Sequence, residues 1–287
     1  MKKDSTDLSG QIDKDDFNLR FVVQGQGLNT LVLGSSVFYP RTFSQSLRQH
    51  LRLGFVDYRG FAATAKPFNR TDYELGKICQ DTEDLRQACG FTQSVVVGHS
   101  AHGYLALEYA RRYPESVSQV VMICTGPSHG APMSETFRRW EETIAPERKA
   151  QFALDQTQYS LSGAESGRRF ITYCQALNAK SWFAPHFDAS PLWQDVKAND
   201  DAMDYLYGEV FRDYDTRQAL QEISAPILLI CGLHDYGVAP FWTWNELRNT
   251  SPNFTVKVFE KSGHYPQLEE SQVFDLLLRD WLSSNTP

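Results

Sequence analysis

The sequence predicts an α/β fold with a mostly parallel, doubly wound sheet that is interrupted by a helical insertion. In the first half of the chain, short apolar runs such as residues 95–97 and 117–124 alternate with helical patterns. Strands of this kind are typical of parallel sheets that are covered by helices on both faces. The alternation stops at Gly126-Pro127 and resumes with an apolar run at residues 226–232, so we expect helices alone between these points.

Each element follows from its local pattern. Apolar runs predict strands at residues 19–23, 31–34, 95–97, 117–124, 226–232 and 256–259, and residues 55–58 end a further strand. Helical spacing predicts helices in the sheet domain over residues 72–89, 104–113 and 272–281. We expect Thr71 or Asp72 to cap the first of these helices, Gly90 to end it, and Pro114 to follow the second.

The predicted insertion contains three helical patterns, over residues 135–156, 166–178 and 200–211. We therefore expect one core domain formed by residues 1–126 and 222–287, with residues 127–221 as a helical insertion. The insertion is rich in aromatic residues. Most of them would pack the insertion onto itself and onto the sheet, and some would line an apolar pocket, because ligand sites are mainly apolar with few polar groups.

Composition and charge exclude several classes of protein. The 287 residues are 41% hydrophobic and carry a net charge of −7 without basic runs, which argues against a nucleic-acid surface. Residues 1–17 lack the apolar core of a signal peptide, and no stretch approaches the ~20 apolar residues of a membrane span. The five cysteines are widely spaced and form no CxxC pair. We expect a cytoplasmic protein that needs no metal and no organic cofactor.

The most informative feature is a strand-to-helix junction with the sequence VVVGHSAHGY at residues 95–104. A buried strand ends at Gly98, Ser100 follows two residues later, and a helix then begins. Such a sharp turn exposes the serine hydroxyl at the carboxyl edge of the sheet. It also forces the serine into a sparsely populated conformation at a cost of roughly 1–3 kcal/mol. This arrangement predicts that Ser100 is a nucleophile.

A serine hydroxyl needs a base, and the base needs a carboxylate that orients it. Asp235 follows the predicted strand 226–232, and His264 follows the strand that ends near Phe259. Because the carboxyl ends of parallel strands meet at one edge of a sheet, we expect Ser100, Asp235 and His264 to lie together there.

These residues resemble the α/β-hydrolase family, whose nucleophile, acid and base follow one another in the order of Ser100, Asp235 and His264. The sequence DYRG at residues 57–60 is similar to the family's Asp-x-Arg-Gly turn. The resemblance extends over residues 19–125 and 222–283. It implies the α/β-hydrolase fold, a Ser-His-Asp triad, and a cap over the active site. Proline iminopeptidases and small capped esterases are the most similar branches.

Position 102 departs from the family's pattern. The motif Gly-x-Ser-x-Gly expects a glycine there, which lets the nucleophile's helix approach the neighbouring strand, whereas this chain has His102 followed by Gly103. The imidazole must then point outward or displace the helix. His102 is a candidate residue of the pocket, and so is Trp242, which follows soon after Asp235.

The second departure concerns the oxyanion hole. Where the family often has His-Gly after its third strand, this chain has Leu33-Gly34 followed by two serines. An oxyanion hole uses backbone N–H groups, so a tight turn matters more than the side chains. The resemblance implies the amides of Ala101 and Ser35 as donors, with Ser36 as an open alternative to Ser35.

We therefore expect a serine hydrolase that cleaves a small ester or amide with an apolar part through an acyl-enzyme. Two alternatives within this class are a C–C bond hydrolase and an aminopeptidase similar to proline iminopeptidases, in which the acidic pair Glu141-Glu142 could bind the substrate amine. Alternatives from other classes are a non-hydrolytic small-molecule sensor and a cofactor-free oxygenase that uses His264 and Asp235 as its base. The sequence leaves the substrate and the oligomeric state open.

Overall fold

The computed structural model describes residues 7–128, 133–160 and 163–285, which form a doubly wound α/β domain with helices inserted after its sixth strand. The strands are β1 (Leu8–Lys14), β2 (Phe17–Gln24), β3 (Leu28–Gly34), β4 (Leu51–Asp57), β5 (Ser94–His99), β6 (Val117–Ile123), β7 (Ile227–Gly232) and β8 (Phe254–Phe259). They form one sheet in the order β1-β2-β4-β3-β5-β6-β7-β8. All pairs from β4 to β8 are parallel, whereas β2 pairs antiparallel with both β1 and β4.

The central strands lie within the hydrophobic core. Every residue of β5 and β7 is buried, as expected of strands with helices on both faces. All seven predicted strands are present, although most begin one to three residues earlier than predicted. The structure adds β1, an edge strand whose residues are exposed or half-buried. It has no fully buried face, and therefore no apolar alternation in its sequence.

The helices of the sheet domain are α1 (Leu75–Ala88), α2 (His102–Arg112), α9 (Asn245–Arg248), α10 (Pro266–Glu269) and α11 (Ser271–Ser284). The predicted N-cap of α1 was wrong, because Thr71 and Asp72 belong to a 3₁₀ turn that is capped by Asn69, and α1 begins after Glu74. Gly90 does end this helix, with a positive φ of 71°.

Between β6 and β7, the described residues form helices and turns and no strand. The α-helices are α3 (Met133–Thr143), α4 (Pro146–Gln158), α5 (Arg169–Ala176), α6 (Asn178–Ser181), α7 (Asp200–Tyr205) and α8 (Thr216–Glu222). The single helix predicted over residues 135–156 is divided at Pro146, which begins α4, since proline fits a first helical turn but not a helix interior. We use the name cap for the described part of residues 127–221. Across the described ranges, every helix is too short or too polar to cross a bilayer.

Candidate active site

Ser100 lies at the junction between β5 and α2 in a strained conformation, with φ of 58°. Three hydrogen bonds hold this turn. The N–H of Ser100 donates to the Ile123 carbonyl at 2.7 Å. The carbonyl of Ser100 accepts from Gly103 N–H at 3.0 Å and from the Thr125 hydroxyl at 2.8 Å. A non-glycine residue with positive φ persists only where its surroundings enforce it, and such residues are concentrated at functional sites.

Two glycines on either side of Ser100 permit this turn. A Cβ on Gly98 would lie 2.2 Å from the His102 carbonyl oxygen, and one on Gly103 would lie 2.1 Å from Thr125 Oγ1. Close packing of α2 against the end of β6 therefore falls on Gly103. Histidine is accommodated at position 102 because Gly103, not residue 102, is the helix residue that packs closely against Thr125.

His264 and Asp235 form a hydrogen-bonded pair on two neighbouring loops. The imidazole Nδ1 lies 2.6 Å from Asp235 Oδ2, on the loops that follow β8 and β7 respectively. Asp235 is buried, and its other oxygen accepts the N–H groups of Gly237 at 3.0 Å and Val238 at 3.2 Å. Because Nδ1 donates to this carboxylate, Nε2 is the ring nitrogen that is left to accept a proton.

Ser100 and His264 face one cavity of about 600 Å³ between the sheet edge and the cap. Aromatic and sulfur-containing side chains contribute much of its wall, among them Phe61, Phe170, Trp193, Met203 and Tyr207. Asp235 lies behind His264 and does not contribute to the wall. This order, with nucleophile and base at the cavity and the carboxylate behind the base, is what general-base activation of a serine requires.

The turn after β3 distinguishes between the two serines proposed for the oxyanion hole. The N–H of Ser36 donates to Asp57 Oδ1 at 2.7 Å, so this donor is occupied. Ser35 and Ala101 both line the cavity, whereas Ser36 does not. Asp57 is itself held by Arg20 at 3.0 Å, and its burial raises the pKa of its carboxyl. The geometry therefore favours the amides of Ser35 and Ala101.

His102 lies at the cavity wall within a hydrogen-bonded network of buried side chains. The carbonyl of His264 can only accept, so His99 Nε2 donates to it at 2.7 Å, and His99 Nδ1 must accept from the Tyr39 hydroxyl at 3.2 Å. Tyr39 in turn accepts from His102 Nδ1 at 2.8 Å. His102 Nε2 is buried and has no hydrogen-bond partner.

Both imidazoles of this network are neutral. Burial lowers the pKa of His102 to about 3, and it lowers the pKa of His99 well below its ordinary value. A Cβ on Gly34 would lie 2.2 Å from the Tyr39 ring and 2.9 Å from His102 Nδ1, which explains the glycine at this position. His102 thus fills the space between α2 and the turn after β3, and His264 remains the candidate base.

Trp242 was predicted to wall the pocket, but the structure places it elsewhere. Its indole N–H donates to Glu135 at 3.2 Å on cap helix α3, and the Arg139 guanidinium lies over its ring. It is not among the residues that line the cavity. Glu141 and Glu142 are not among the lining residues either, and each pairs with a cation of the cap. They do not provide the amine site that was considered for them.

A thiol lies beside the acid–base pair. Potential ligand atoms of Cys124, Asp235 and His264 all lie within 4.8 Å of one another. Burial, followed by the charge of Asp235, raises the pKa of the Cys124 thiol well above its ordinary value. A metal ligand must be the thiolate, so this environment favours a thiol that packs against the pair.

Sequence reasoning gave no functional role to Tyr39, or to Glu269, which it noted only as part of the sequence that follows His264. Tyr39 joins the two histidines near Ser100, and Glu269 accepts N–H groups on both sides of His264, from Gly263 at 2.8 Å and Tyr265 at 3.3 Å. Tyr39 carries no local signal. Glu269 lies five residues after His264 on helix α10, and a carboxylate so close to the predicted base was a signal that could have identified it.

Comparisons with known proteins agree with this fold. Residues 26–271 match the alpha/beta hydrolase fold family. The chain is 35% identical over 278 residues to the AB hydrolase superfamily protein YclE of Bacillus subtilis strain 168, covering 96% of this chain and 98% of that protein. It is 23% identical to a proline iminopeptidase of Heyndrickxia coagulans, covering 92% and 94% of the two chains.

Among solved structures, an alpha/beta fold family hydrolase from Bacillus anthracis str. Sterne superimposes with a TM-score of 0.71. The two chains are 22% identical, and the match covers 96% of this chain and 99% of the other. This structural likeness shows the shared fold. The match to the family over most of the chain shows more: the chain belongs to the alpha/beta hydrolase fold family and is one of its enzymes.

Proposed function

We propose that this enzyme is a serine hydrolase that cleaves a small, uncharged ester with an apolar part. The observation that carries the proposal is the strained Ser100 turn opening on the same cavity as His264, with Asp235 hydrogen-bonded behind the imidazole. A binding protein has no need of a strained hydroxyl beside an oriented base. A cofactor-free oxygenase would use the base but would not require the strain at Ser100.

The mechanism follows from these positions. Ser100 Oγ attacks the substrate carbonyl carbon while His264 Nε2 takes the hydroxyl proton, and Asp235 stabilises the resulting imidazolium. The N–H groups of Ala101 and Ser35 bind the oxyanion. The carbonyl re-forms as the bond to the leaving alcohol breaks, and His264 returns its proton to that alcohol. Water then attacks the acyl-enzyme with His264 as base, which releases the acid and restores Ser100.

The wall of the cavity supports an uncharged substrate. Among the described lining residues, Arg169 and Asp204 are the only Arg, Lys, Asp or Glu side chains, and they pair with each other at 2.5 Å. Both of these side chains are exposed, so the buried part of the described wall offers a charged substrate neither an acidic nor a basic side chain other than histidine. The remaining wall is largely aromatic, which suits an aliphatic or aromatic acyl group.

One observation supports a second candidate, an aminopeptidase. Asp204, on cap helix α7, is a carboxylate that reaches the cavity, and one relative is a proline iminopeptidase. A substrate amine could bind there if it replaced Arg169. We rank this candidate second because Asp204 already has a cationic partner.

The test compares the wild type with Ser100→Ala in two assays, labelling by a fluorophosphonate probe and turnover of matched neutral esters and aminoacyl amides. We expect the probe to label only the wild type. We expect ester turnover to fall in the variant by a factor on the order of 10³ to 10⁶, as when other serine nucleophiles are removed. Turnover of amides but not esters would select the aminopeptidase. Ester turnover that survives in Ser100→Ala would contradict both candidates.

A further inference from the structure

The loop that carries His264 is bonded to the cap as well as to the sheet. The N–H of His264 donates to the Ser181 carbonyl at 2.5 Å, and Trp182 stacks on Tyr265 with ring centroids 4.2 Å apart and planes 15° from parallel. A Cβ on Gly263 would lie 2.3 Å from the Ser181 carbonyl oxygen. Cap backbone therefore lies directly against the residues that flank the candidate base.

Glu269 lies at the centre of this contact. One of its carboxylate oxygens accepts the N–H groups of Gly263 at 2.8 Å and Tyr265 at 3.3 Å, on either side of His264. The other oxygen accepts the N–H of Phe183 in the cap at 2.6 Å. One side chain thus fixes the peptide groups before and after the base and joins them to the cap. Burial raises the pKa of this carboxyl, while its three backbone hydrogen bonds oppose that shift.

The same cap segment, residues 180–183, also contacts the loop of the acid. The carbonyl of Lys180 accepts the N–H of Tyr236 at 2.9 Å, one residue after Asp235. On its cap side, Arg148 of α4 donates to the carbonyls of Trp182 at 2.7 Å and of Phe183. Segment 180–183 therefore accepts hydrogen bonds from α4 on its cap side and from the loops of Asp235 and His264 on its other side.

We propose that Glu269 is a positioning residue that, with cap segment 180–183, fixes the orientation of His264 toward Ser100. This inference rests on the proposed function, in which His264 is the base. Glu269 itself does not line the cavity, so its effect should reach the reaction through the imidazole and not through contact with substrate. Its removal should lower kcat with little change in KM.

The principal variant is Glu269→Gln, which keeps the size of the side chain. A glutamine offers one acceptor oxygen, and its NH₂ group would face backbone N–H donors, so either the loop or the cap bonds are lost. We expect fluorophosphonate labelling of Ser100 to slow by about 10-fold or more, since a 1 Å displacement of a catalytic group can cost about 100-fold. A labelling rate within about twofold of wild type would overturn the proposal.

The matched control is Glu270→Gln. Glu270 accepts from the same loop, from Lys261 N–H at 3.0 Å and the Ser262 hydroxyl at 2.6 Å, whereas the N–H groups of Gly263 and Tyr265 donate to Glu269. We expect its labelling rate to stay within about twofold of wild type. An equal loss in both variants would indicate general weakening of the loop and would overturn the specific role of Glu269.

A double-mutant comparison separates positioning from structural damage. In a His264→Ala background, Glu269→Gln should change the residual labelling rate by less than about twofold, because residues that act as one unit are not additive. If Glu269→Gln lowers the labelling rate in this background as much as it does in the wild type, Glu269 does not act through His264, and the proposal is overturned.

If Glu269→Gln does not fold, Arg148→Lys gives the same test from the cap side. We expect a slower labelling rate in this variant, and an unchanged rate would contradict the proposal. If the wild type itself is not labelled, the proposed function fails, and that outcome is distinct from these.

Discussion

The two sides of the candidate site are built differently. Within the part of the chain that the structure describes, the hydrogen bonds around the candidate nucleophile come from the sheet domain. Ser100 is fixed by the end of β6, and Tyr39 joins His99 to His102 beneath it. The acid–base side is shared with the cap, because the loops of Asp235 and His264 each donate a backbone N–H to carbonyls of residues 180–181.

This difference indicates what the cap contributes. A cap that only covered the cavity could change without affecting the proposed triad. Here the cap segment 180–183 completes the backbone hydrogen bonding of both loops, and a Cβ on Gly263 could not fit against it. Changes in the cap should therefore affect His264, the proposed base, and leave Ser100 in place. The predictions below test this contrast, from the largest expected effect to the smallest.

The largest effect is expected for Trp182→Ala. Trp182 is 2% exposed and packs on Tyr265 and Phe187. Truncating a buried tryptophan typically costs about 3–5 kcal/mol of the free energy of unfolding. We expect a loss of this size, measured by denaturant unfolding, together with slower labelling of Ser100 at a temperature where the variant is folded.

Trp281→Ala is the matched control for this prediction. Trp281 is also buried, but it lies on α11 of the sheet domain and outside cap segment 180–183. We expect lower stability in this variant without the loss of labelling. If both variants lose labelling in proportion to stability, the contrast between the two sides of the site is not supported.

The sheet and the order of Ser100, Asp235 and His264 were predictable because each depends on local sequence. A buried parallel strand is a continuous apolar run, and a turn residue follows it at the site edge. These signals do not depend on knowing which elements pack together. The predicted strands accordingly correspond to β2 through β8, and Asp235 and His264, which follow β7 and β8, are hydrogen-bonded to each other.

The remaining features depend on contacts between distant residues. Glu269 and Phe183 are 86 residues apart, and no local pattern indicates that a cap amide meets this carboxylate. Trp242 was assigned to the pocket from its closeness to Asp235 in sequence, whereas cap helix α3 draws its indole toward Glu135. The choice of Ser35 over Ser36 needed the hydrogen bond to Asp57, which joins two strands.

An intermediate effect on stability is expected from His102, which is buried and neutral near Ser100. Its pKa is about 3 in the folded protein against an ordinary value of 6.5. The unfolded chain therefore binds a proton below pH 6.5 that the folded protein does not, so stability is lost as the pH falls from 6.5 toward 3. A pH of 5 lies about 1.5 units below the ordinary pKa of 6.5, which corresponds to a loss of about 2 kcal/mol in the free energy of unfolding.

The measurement is the free energy of unfolding at pH 7 and pH 5 for the wild type and for His102→Gln, which cannot titrate. We expect the wild type to lose more stability than the variant between these values. His99 remains in both proteins and acts in the same direction, because burial lowers its pKa as well. An equal pH dependence in the two proteins would show that His102 is accessible to protons.

The smallest effect is expected on the outer face of the cap, where Glu142 pairs with Arg138 at 2.8 Å and both side chains are more than half exposed. Exposed pairs of this kind contribute only about 0–1 kcal/mol, and helical pairs four residues apart about 0.3–0.5 kcal/mol. Glu142→Ala should therefore leave both stability and labelling of Ser100 almost unchanged. A large loss in the turnover of aminoacyl amides would instead place Glu142 at a substrate amine. The cap would then contribute to substrate binding as well as to the orientation of the His264 loop.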